Sequence, residues 1–371
     1  MQNFDIIVIG AGIAGASVAA RLAPEKSVCI LEMEERAGYH TTGRSAAAYE
    51  PNYGPPVMLA FARASKDFMS HPPPGFADQP ILTWRNSLFV EAEGQEASTK
   101  QLLANSKGLE EISASTARNL IPVLRRDYAK RIFLDSGTAD IDVDILHRGY
   151  LKMFKASGGQ LVTSAPATSV ERKCGTWHID TPQGTFTAKV IVNAAGAWGD
   201  SVANMAGALP VGLVPKRRSI AIVPLPEELK SSNWPMVSDV GETWYCKPQS
   251  GKLMVSSADA TPVEPHDAYA DDMAIAEGID RLMQATTIEV DRVDHSWGGL
   301  RTFTADGVPA VGYDPHTEDF FWLVGQGGYG IMTSPALSAA AAELILHRPL
   351  PKTMFNEGIT AAMIAPERCQ T

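Results

Sequence analysis

A glycine-rich turn near the amino terminus constrains the fold of this chain more than any other feature. The turn, residues 10–15, reads GAGIAG. The segment before it, residues 4–10, is apolar apart from Asp5 and rich in β-branched residues, which is typical of a buried parallel strand. Residues 16–22 continue as a helix, and a second short apolar strand, residues 27–31, follows. This order predicts a dinucleotide-binding βαβ unit.

Each residue of the turn has a role in that prediction. Gly10 permits the tight turn, Gly12 lets the backbone approach a pyrophosphate, and Gly15 lets the helix pack on the strand. Ile13 and Ala14 open the helix, whose N-terminal N–H groups and positive dipole favour phosphate. We therefore predict that the pyrophosphate of the ligand binds at this turn.

The segment after the second strand indicates which dinucleotide binds. Glu32 ends that strand, about 20 residues beyond the turn, where an acidic side chain accepts hydrogen bonds from ribose hydroxyls and disfavours a 2′-phosphate. Residues 36–48 then form a small, polar, glycine-rich loop that suits close backbone approach to a large flat ligand. A plain NAD dehydrogenase would instead run straight into a second crossover helix. The sequence therefore favours FAD over NAD and excludes an NADP-type nucleotide.

Length and charge limit the remaining possibilities. The 371 residues suggest two domains or one large one. The net charge of −10 argues against nucleic acid or an anionic membrane as the main partner, because both need a basic surface. The four cysteines form no CxxC pair and have no zinc spacing, so we predict reduced thiols and no metal site. No apolar run reaches the ~18 residues of a membrane span. We expect a cytoplasmic protein, with peripheral contact to the inner membrane left open.

Further elements follow from apolar periodicity and turn residues. We predict helices at 58–70, at 140–153 with Asp142 or Asp144 as the cap, at 271–284, and from about 331 to 346. We predict strands at 81–90, 160–162, 168–170, 176–180, 185–187, 190–192, 219–223, 244–247, 253–256 and 320–324. The strand at 190–192 ends in small residues, NAAGAW, which suits the edge of a dinucleotide site.

Together these segments resemble the D-amino-acid oxidase (DAO) family of flavoproteins over nearly the whole chain. The most specific segments are the GAGIAG turn with Glu32, residues 43–47 (GRSAA) and residues 299–309 (GLRTFTADGVP). Within the family, the chain resembles the bacterial D-arginine dehydrogenases at residues 38–47, 215–219, 234–236 and 326–331.

The resemblance implies an α/β fold, α+β overall, in which a Rossmann-like FAD-binding domain is interleaved with a mainly antiparallel substrate domain. It implies domain ranges of 1–82, 139–206 and 300–371 for FAD, and of 83–138 and 207–299 for the substrate. It also implies FAD bound without a covalent link. Beyond the turn and Glu32, the residues that it assigns to the cofactor are Thr42, Gly43, Ser45, Ala46, Ala47, Val170, Ala194, Ala195, Gly196, Trp198, Gly327, Gly330 and Ile331.

The family oxidises a Cα–N bond by moving hydride from Cα to flavin N5. Arg218 and Arg301 match its carboxylate clamp, a task that suits the planar, bidentate guanidinium group. Tyr53 and Tyr245 match tyrosines that line the substrate pocket, and the backbone carbonyl of Gly328 matches an acceptor for the substrate amine. The resemblance thus implies oxidative deamination of a D-amino acid to a 2-oxo acid and ammonia.

Two departures bear on the substrate side chain. Where D-arginine dehydrogenases hold the substrate guanidinium with a glutamate, this chain has Ser87, and where they have an active-site histidine it has Ala48. Without its carboxylate partner, a buried cationic side chain of the substrate should lose at least ~2 kcal/mol of binding free energy. The other residues that suggest a less charged, partly aromatic pocket are Trp84, Phe89, Met236 and Trp244. We therefore expect a neutral or hydrophobic substrate side chain.

Two other functions stay open. One is an oxidase of N-alkylated amino acids, like sarcosine oxidase; several of these tether FAD through a cysteine, and residues 308–329 contain none. The other is a non-catalytic flavin-binding subunit, against which the two matching arginines argue. The sequence leaves open whether the electron acceptor is oxygen or a quinone.

Overall fold

A computed structural model describes residues 1–229 and 233–370. Residues 230–232 and 371, which fall inside the predicted domain ranges, lie outside the described residues. The helices are α1 Ile13–Leu22, α2 Pro56–Ser70, α3 Glu96–Asn105, α4 Ala114–Leu120, α5 Val143–Ala156, α6 Gly199–Ala206, α7 Asp272–Ala285, α8 Gly330–Ile345 and α9 Lys352–Asn356. The strands are β1 Gln2–Ile9, β2 Val28–Leu31, β3 Ala48–Tyr49, β4 Leu82–Trp84, β5 Ser87–Glu91, β6 Glu110–Ile112, β7 Arg131–Asp135, β8 Ala139–Ile141, β9 Gln160–Val162, β10 Ser169–Lys173, β11 Thr176–Thr181, β12 Gly184–Asn193, β13 Val214–Val223, β14 Met236–Asp239, β15 Tyr245–Gln249, β16 Lys252–Ser256, β17 Thr261–Pro262, β18 His295–Phe303, β19 Ala310–Tyr313, β20 Phe320–Val324 and β21 Gln326–Gly327.

The first sheet has β1 at its centre. Its order is β10-β11-β12-β1-β2-β9, with β20 beside β12 and β19 beside β20. β1 runs parallel to both β2 and β12, and its residues 6–9 are buried, which explains their continuous apolar character. α1 and α8 pack together in the largest core cluster, and α5 joins them there. The carboxyl ends of β1, β2 and β12 therefore face one edge of the sheet, where an α/β sheet binds its ligand.

One long strand replaces two that we predicted. Residues 185–187 and 190–192 both belong to β12. The first half of β12 pairs with β11 and the second half with β20, while β1 pairs along its other side. Because β12 changes its neighbour from β11 to β20 along one edge, its apolar pattern is interrupted, and the sequence predicts two short strands instead of one.

The predicted strand at 81–90 is, in contrast, two strands in different sheets. β4 lies in a small sheet of order β3-β8-β4, whereas β5 belongs to the second large sheet. Arg85 lies between them, and its side chain donates to the Asp140 carboxylate and to the Trp234 carbonyl oxygen. The chain therefore changes sheets at the point where this charged residue is anchored.

The second large sheet has the order β21-β18-β13-β16-β15-β14-β5-β7-β6, with β17 also on β13. It is antiparallel except between β14 and β5. Arg218 on β13 lies opposite Gly299 on β18, so Arg301, two residues beyond Gly299, projects from the same face. Tyr245 on β15 pairs with Ser256 on β16 and with Ser238 on β14, and this register places its side chain on the same face. One face of this sheet thus collects side chains that are distant in the sequence.

The start of α5 decides between the two predicted caps. The Asp142 carboxylate accepts from the backbone N–H of Ile145 at 2.9 Å, so Asp142 is the N-cap and Asp144 lies in the first turn. The helix begins at Val143 rather than at 140, because residues 139–141 form β8.

The mixed α/β fold predicted from the sequence is confirmed. The first sheet uses residues 2–31, 160–193 and 310–324, and the second uses residues from 87–135, 214–303 and 326–327. This division agrees with an interleaved chain, while the exact domain ranges stay a prediction. Within the described residues, no helix combines the length and the apolar character needed to cross a membrane.

Candidate active site

A long cleft opens at the carboxyl ends of β1, β2 and β12. It runs from Glu32 past the 3₁₀ turn Thr42–Arg44 to the amino end of α8. Most of the predicted cofactor residues line it, namely Gly10, Gly12, Ile13, Ala14, Glu32, Thr42, Ser45, Ala46, Ala194, Ala195, Gly196, Trp198, Gly327, Gly330 and Ile331. The fold therefore brings together, along one cleft, segments from both ends of the chain.

The glycines of the turn differ in what they make possible. A Cβ on Gly15 would lie 1.9 Å from the carbonyl oxygen of Gly10, so α1 packs on β1 only with glycine there. Gly10 has a φ of +103°, and a Cβ on it would approach the carbonyl oxygen of Ala194 to 2.6 Å. A Cβ on Gly12 would meet only Thr42 Oγ1, at 3.2 Å. Gly12 thus keeps the cleft open rather than allowing a turn, which fits close approach of a pyrophosphate.

Glu32 is held in place by the backbone around it. Its carboxylate accepts from the N–H of Ala11 at 2.7 Å and from the N–H of Glu34 at 3.0 Å. Burial raises the pKa of the Glu32 carboxyl, and these two hydrogen bonds oppose that rise. Because a carboxylate has about four lone-pair sites, it retains acceptor capacity for a ribose diol. Glu32 therefore fits the nucleotide at this end of the cleft.

Four predicted cofactor residues lie elsewhere. Gly15 packs α1 on β1, and Gly43 approaches Gly38, whose carbonyl oxygen would lie 2.7 Å from a Cβ on Gly43. Ala47, with a left-handed φ of 49°, lines the neighbouring pocket instead. Val170 lies on the outermost strand of the first sheet, where its side chain is buried in a core cluster and does not line the cleft, so its assignment to the cofactor stays a prediction.

A second pocket adjoins the cleft at the face of the second sheet. Arg218, Arg301 and Gly328 line both cavities, as do Ser45, Ala46 and Ile331. Tyr53, Tyr245, Ala48 and Met236 line the second pocket. A flat ring at the end of the cleft and a small molecule in this pocket would therefore meet beside the two arginines.

The two arginines lack acidic partners. Arg218 is only 9% exposed, and its Nε donates to the backbone carbonyl of Asp259 at 2.8 Å. Arg301 Nη1 donates to Tyr53 Oη at 3.3 Å. Among the described residues, neither guanidinium forms an ion pair with a carboxylate. Burial and the charge of Arg301 lower the pKa of Arg218. Two neighbouring guanidinium charges, one buried and one half-buried, with no carboxylate of the described residues in direct contact make this a site for an anion.

The tyrosines and Gly328 complete the arrangement around the arginines. The Tyr245 hydroxyl is buried and has no hydrogen-bond partner among the described residues, so a ligand would satisfy it. The Tyr53 ring packs on Tyr329, with the ring centroids 5.4 Å apart. A Cβ on Gly328 would lie 2.8 Å from Arg301 Nη1, so glycine lets the guanidinium lie against the backbone.

The predicted pocket composition needs correction. Ser87 does not line the pocket; its hydroxyl donates to the carboxylate of Glu50 at 2.9 Å, and Glu50 lines the pocket in its place. Trp84 lies at the surface, 55% exposed, with Lys66 over its ring. Trp244 lines the pocket but is almost completely buried, and its Nε1 donates to Tyr128 Oη at 2.9 Å.

The pocket contains acidic side chains that sequence reasoning missed. Glu50 is buried, 6% exposed, and Glu242 lies in the turn between β14 and β15 with a left-handed φ of 54°. Burial raises the pKa of Glu242, which a hydrogen bond from Tyr53 opposes. The pocket therefore carries acidic side chains that the expectation of a less charged pocket did not include. Neither glutamate belongs to a motif, so only the pairing of distant strands reveals them.

Comparison with known proteins agrees with this geometry. The family model described as FAD dependent oxidoreductase (DAO) matches residues 5–344. Glycine oxidase from Bacillus licheniformis is 23% identical, covering 97% of each chain. Human mitochondrial dimethylglycine dehydrogenase is also 23% identical, covering 94% of this chain and 43% of its own.

The fold superposes on the crystal structure of glycine oxidase from Geobacillus kaustophilus with a TM-score of 0.82. The identity is 20%, and the match covers 94% of this chain and 96% of that one. These relatives support the family rather than the narrower resemblance to D-arginine dehydrogenases. With its family match over most of the chain and a cleft that fits the cofactor, the chain belongs to the DAO family of FAD-dependent oxidoreductases.

Proposed function

We propose that this flavoprotein oxidises the Cα–N bond of an amino acid, producing an imino acid that water converts to a 2-oxo acid and ammonia. The observation that carries the proposal is the pair of guanidinium groups where the cleft and the pocket meet: Arg218 is buried, Arg301 is half-buried, and neither forms an ion pair with a carboxylate among the described residues. An α-carboxylate supplies the missing anion and can accept two parallel hydrogen bonds from a guanidinium. The relatives named glycine oxidase and dimethylglycine dehydrogenase support an amino-acid substrate.

In this proposal the residues around the arginines orient the substrate. Arg218 and Arg301 bind its carboxylate, and the Tyr245 hydroxyl donates to it as well. The Gly328 carbonyl accepts a hydrogen bond from the substrate amine, and Tyr53 positions Arg301 through their mutual hydrogen bond. Bound FAD supplies the acceptor for the hydride that leaves Cα. The amino end of α8 directs its positive dipole into the cleft at Gly330 and Ile331.

We propose that FAD is bound without a covalent link. None of Cys29, Cys174, Cys246 and Cys369 lines the cleft. After precipitation of the holoprotein with acid, the yellow colour should therefore stay in the supernatant. Colour that remains with the washed pellet would contradict noncovalent binding, and a thiol-free variant serves as the control for attachment through cysteine.

We propose a D-amino acid as the substrate class, with N-alkylated amino acids as the alternative. Under anaerobic conditions, the D-enantiomers should bleach the flavin absorbance near 450 nm, while the L-enantiomers and N-methylglycine should leave it unchanged. A spectrum recorded with each compound, and one with dithionite as the control for a reducible flavin, decides between them.

The same panel tests each alternative. If N-methylglycine bleaches the flavin faster than any D-amino acid does, the result would favour an oxidase of N-alkylated amino acids. A flavin that dithionite reduces but no amine or amino acid reduces would favour the non-catalytic subunit and contradict the proposed activity.

A further inference from the structure

We infer that Glu50 selects substrates whose side chain carries an ammonium or guanidinium group. The inference rests on the proposed function, because the substrate must present its α-carboxylate to Arg218 and Arg301. Glu50 lines the second pocket but not the cleft, whereas the two arginines line both. Glu50 therefore lies on the side of the pocket away from the cleft, where the substrate side chain rather than the flavin would bind.

Glu50 is buried with few partners. The Ser87 hydroxyl donates to one of its oxygens at 2.9 Å, and Ser87 itself is only 2% exposed. Among the described residues, Ser87 is the one hydrogen-bond donor to this carboxylate, and no cation forms an ion pair with it. A buried carboxylate with a single neutral donor is costly, so the pocket favours a ligand that brings further donors.

The charged groups that face Glu50 do not supply the cationic partner that its carboxylate lacks. Asp135 on β7 and Glu242 in the turn before β15 add negative charge, although Asn52 donates to Asp135 at 2.8 Å. Lys247 on β15 is the positive group, but it is 3% exposed and its Nζ is bound to Asp140 at 2.8 Å. The charge around Glu50 is therefore negative, while the other end of the pocket carries the two arginines, with Glu242 beside Arg301. This polarity matches an amino acid with a cationic side chain.

The other acidic groups of the pocket fit this role less well. The Asp239 carboxylate already accepts from the backbone N–H groups of Thr243 and Trp244 and from the side chains of Gln95 and Thr243. Glu242 shares a hydrogen bond with Tyr53, which places its charge next to Arg301. Glu50 is thus the pocket carboxylate that is both buried and short of donors.

The titration of Glu50 gives the inference a second readout. Burial raises the pKa of Glu50 to about 7. A cationic side chain binds the ionised carboxylate, so its binding should strengthen as the pH rises through about 7. A neutral side chain of the same shape gains nothing from that ionisation. The ratio of kcat/KM for the two substrates removes the pH dependence of the α-amine, which both share.

D-Lysine and D-norleucine make the comparison, because norleucine is lysine without its ammonium group. In the native holoenzyme, D-lysine should be oxidised with a kcat/KM about 30-fold or more above that of D-norleucine, and Glu50→Gln should remove this preference.

The ratio of the two kcat/KM values should rise through about pH 7 in the native enzyme and lose that dependence in Glu50→Gln. Ser87→Ala should move the midpoint to higher pH, because the Ser87 hydrogen bond lowers the pKa of Glu50. Glu110→Gln, exposed on β6, is the control and should change neither value.

The outcomes separate the inference from the function on which it rests. Flavin reduction by D-norleucine that equals or exceeds reduction by D-lysine overturns the inference and leaves the proposed function standing. A loss of activity in Glu50→Gln that is equal for both substrates, with FAD content unchanged, also overturns it. A flavin reduced by neither enantiomer of either amino acid overturns the proposed function itself.

Discussion

Replacing Arg218 with methionine should lower kcat/KM for the amino acid substrate by about three orders of magnitude. The buried guanidinium is one of the two charges that we propose to hold the substrate carboxylate. Charge-assisted hydrogen bonds contribute about 1.5–3 kcal/mol each, so two of them account for roughly a thousandfold change. Methionine retains much of the side-chain volume, so the pocket should stay packed. Steady-state kinetics and an anaerobic measurement of flavin reduction check the effect.

Arg217→Met is the matched control for this experiment. Arg217 is the next residue on β13, but it projects from the opposite face of the sheet, where it pairs with Asp271 at 2.8 Å. We expect its loss to change kcat/KM less than about threefold and stability by no more than about 1 kcal/mol. A comparable loss of activity in both variants would mean that the arginines act through the sheet rather than through the substrate.

An amine without a carboxylate sharpens the test. Such a compound cannot use the clamp, so its slow oxidation should be nearly the same in the native enzyme and in Arg218→Met. If Arg218→Met slows this amine as strongly as it slows the amino acid, carboxylate binding is not the role of Arg218.

Gly12→Ala should weaken FAD binding by about 100-fold while leaving the apoprotein folded. The added Cβ would lie 3.2 Å from Thr42 Oγ1, a distance that a small shift relieves. It would also project into the cleft where the backbone is expected to meet the pyrophosphate. Fluorescence titration of the apoprotein with FAD measures the affinity, and thermal unfolding without FAD measures the fold.

Gly137→Ala is the matched control, since a Cβ there would also lie 3.2 Å from a side-chain oxygen, that of Asp135. Gly137 does not line the cleft, so its variant should bind FAD as the native protein does. Native FAD affinity in Gly12→Ala would contradict the proposed position of the pyrophosphate. Unfolding of the apoprotein would instead give Gly12 the packing role that Gly15 has.

The sequence predicted those parts of the molecule in which neighbouring residues act together. The turn at residues 10–15, the helix after it and Glu32 are close along the chain, and the strand and helix signals around them are local. The fold class followed from the same local patterns. Where one strand changes neighbours, as β12 does, or where the chain changes sheets at Arg85, the local pattern misleads because pairing is a property of the whole sheet.

Sequence by itself predicted the dinucleotide site, because a βαβ unit is continuous in the chain and the spacing of its glycines is characteristic of a dinucleotide-binding turn. Only the tertiary structure decided the character of the proposed substrate pocket. Ser87 and Glu50 are 37 residues apart; β3 and β4 share the small sheet, and the segments that follow these two strands bring Glu50 and Ser87 together. Likewise, the register of β13 and β18, rather than residue type, determines that Arg218 and not Arg217 faces Arg301. A shift of one residue would reverse that choice, since alternate side chains of a strand project to opposite faces.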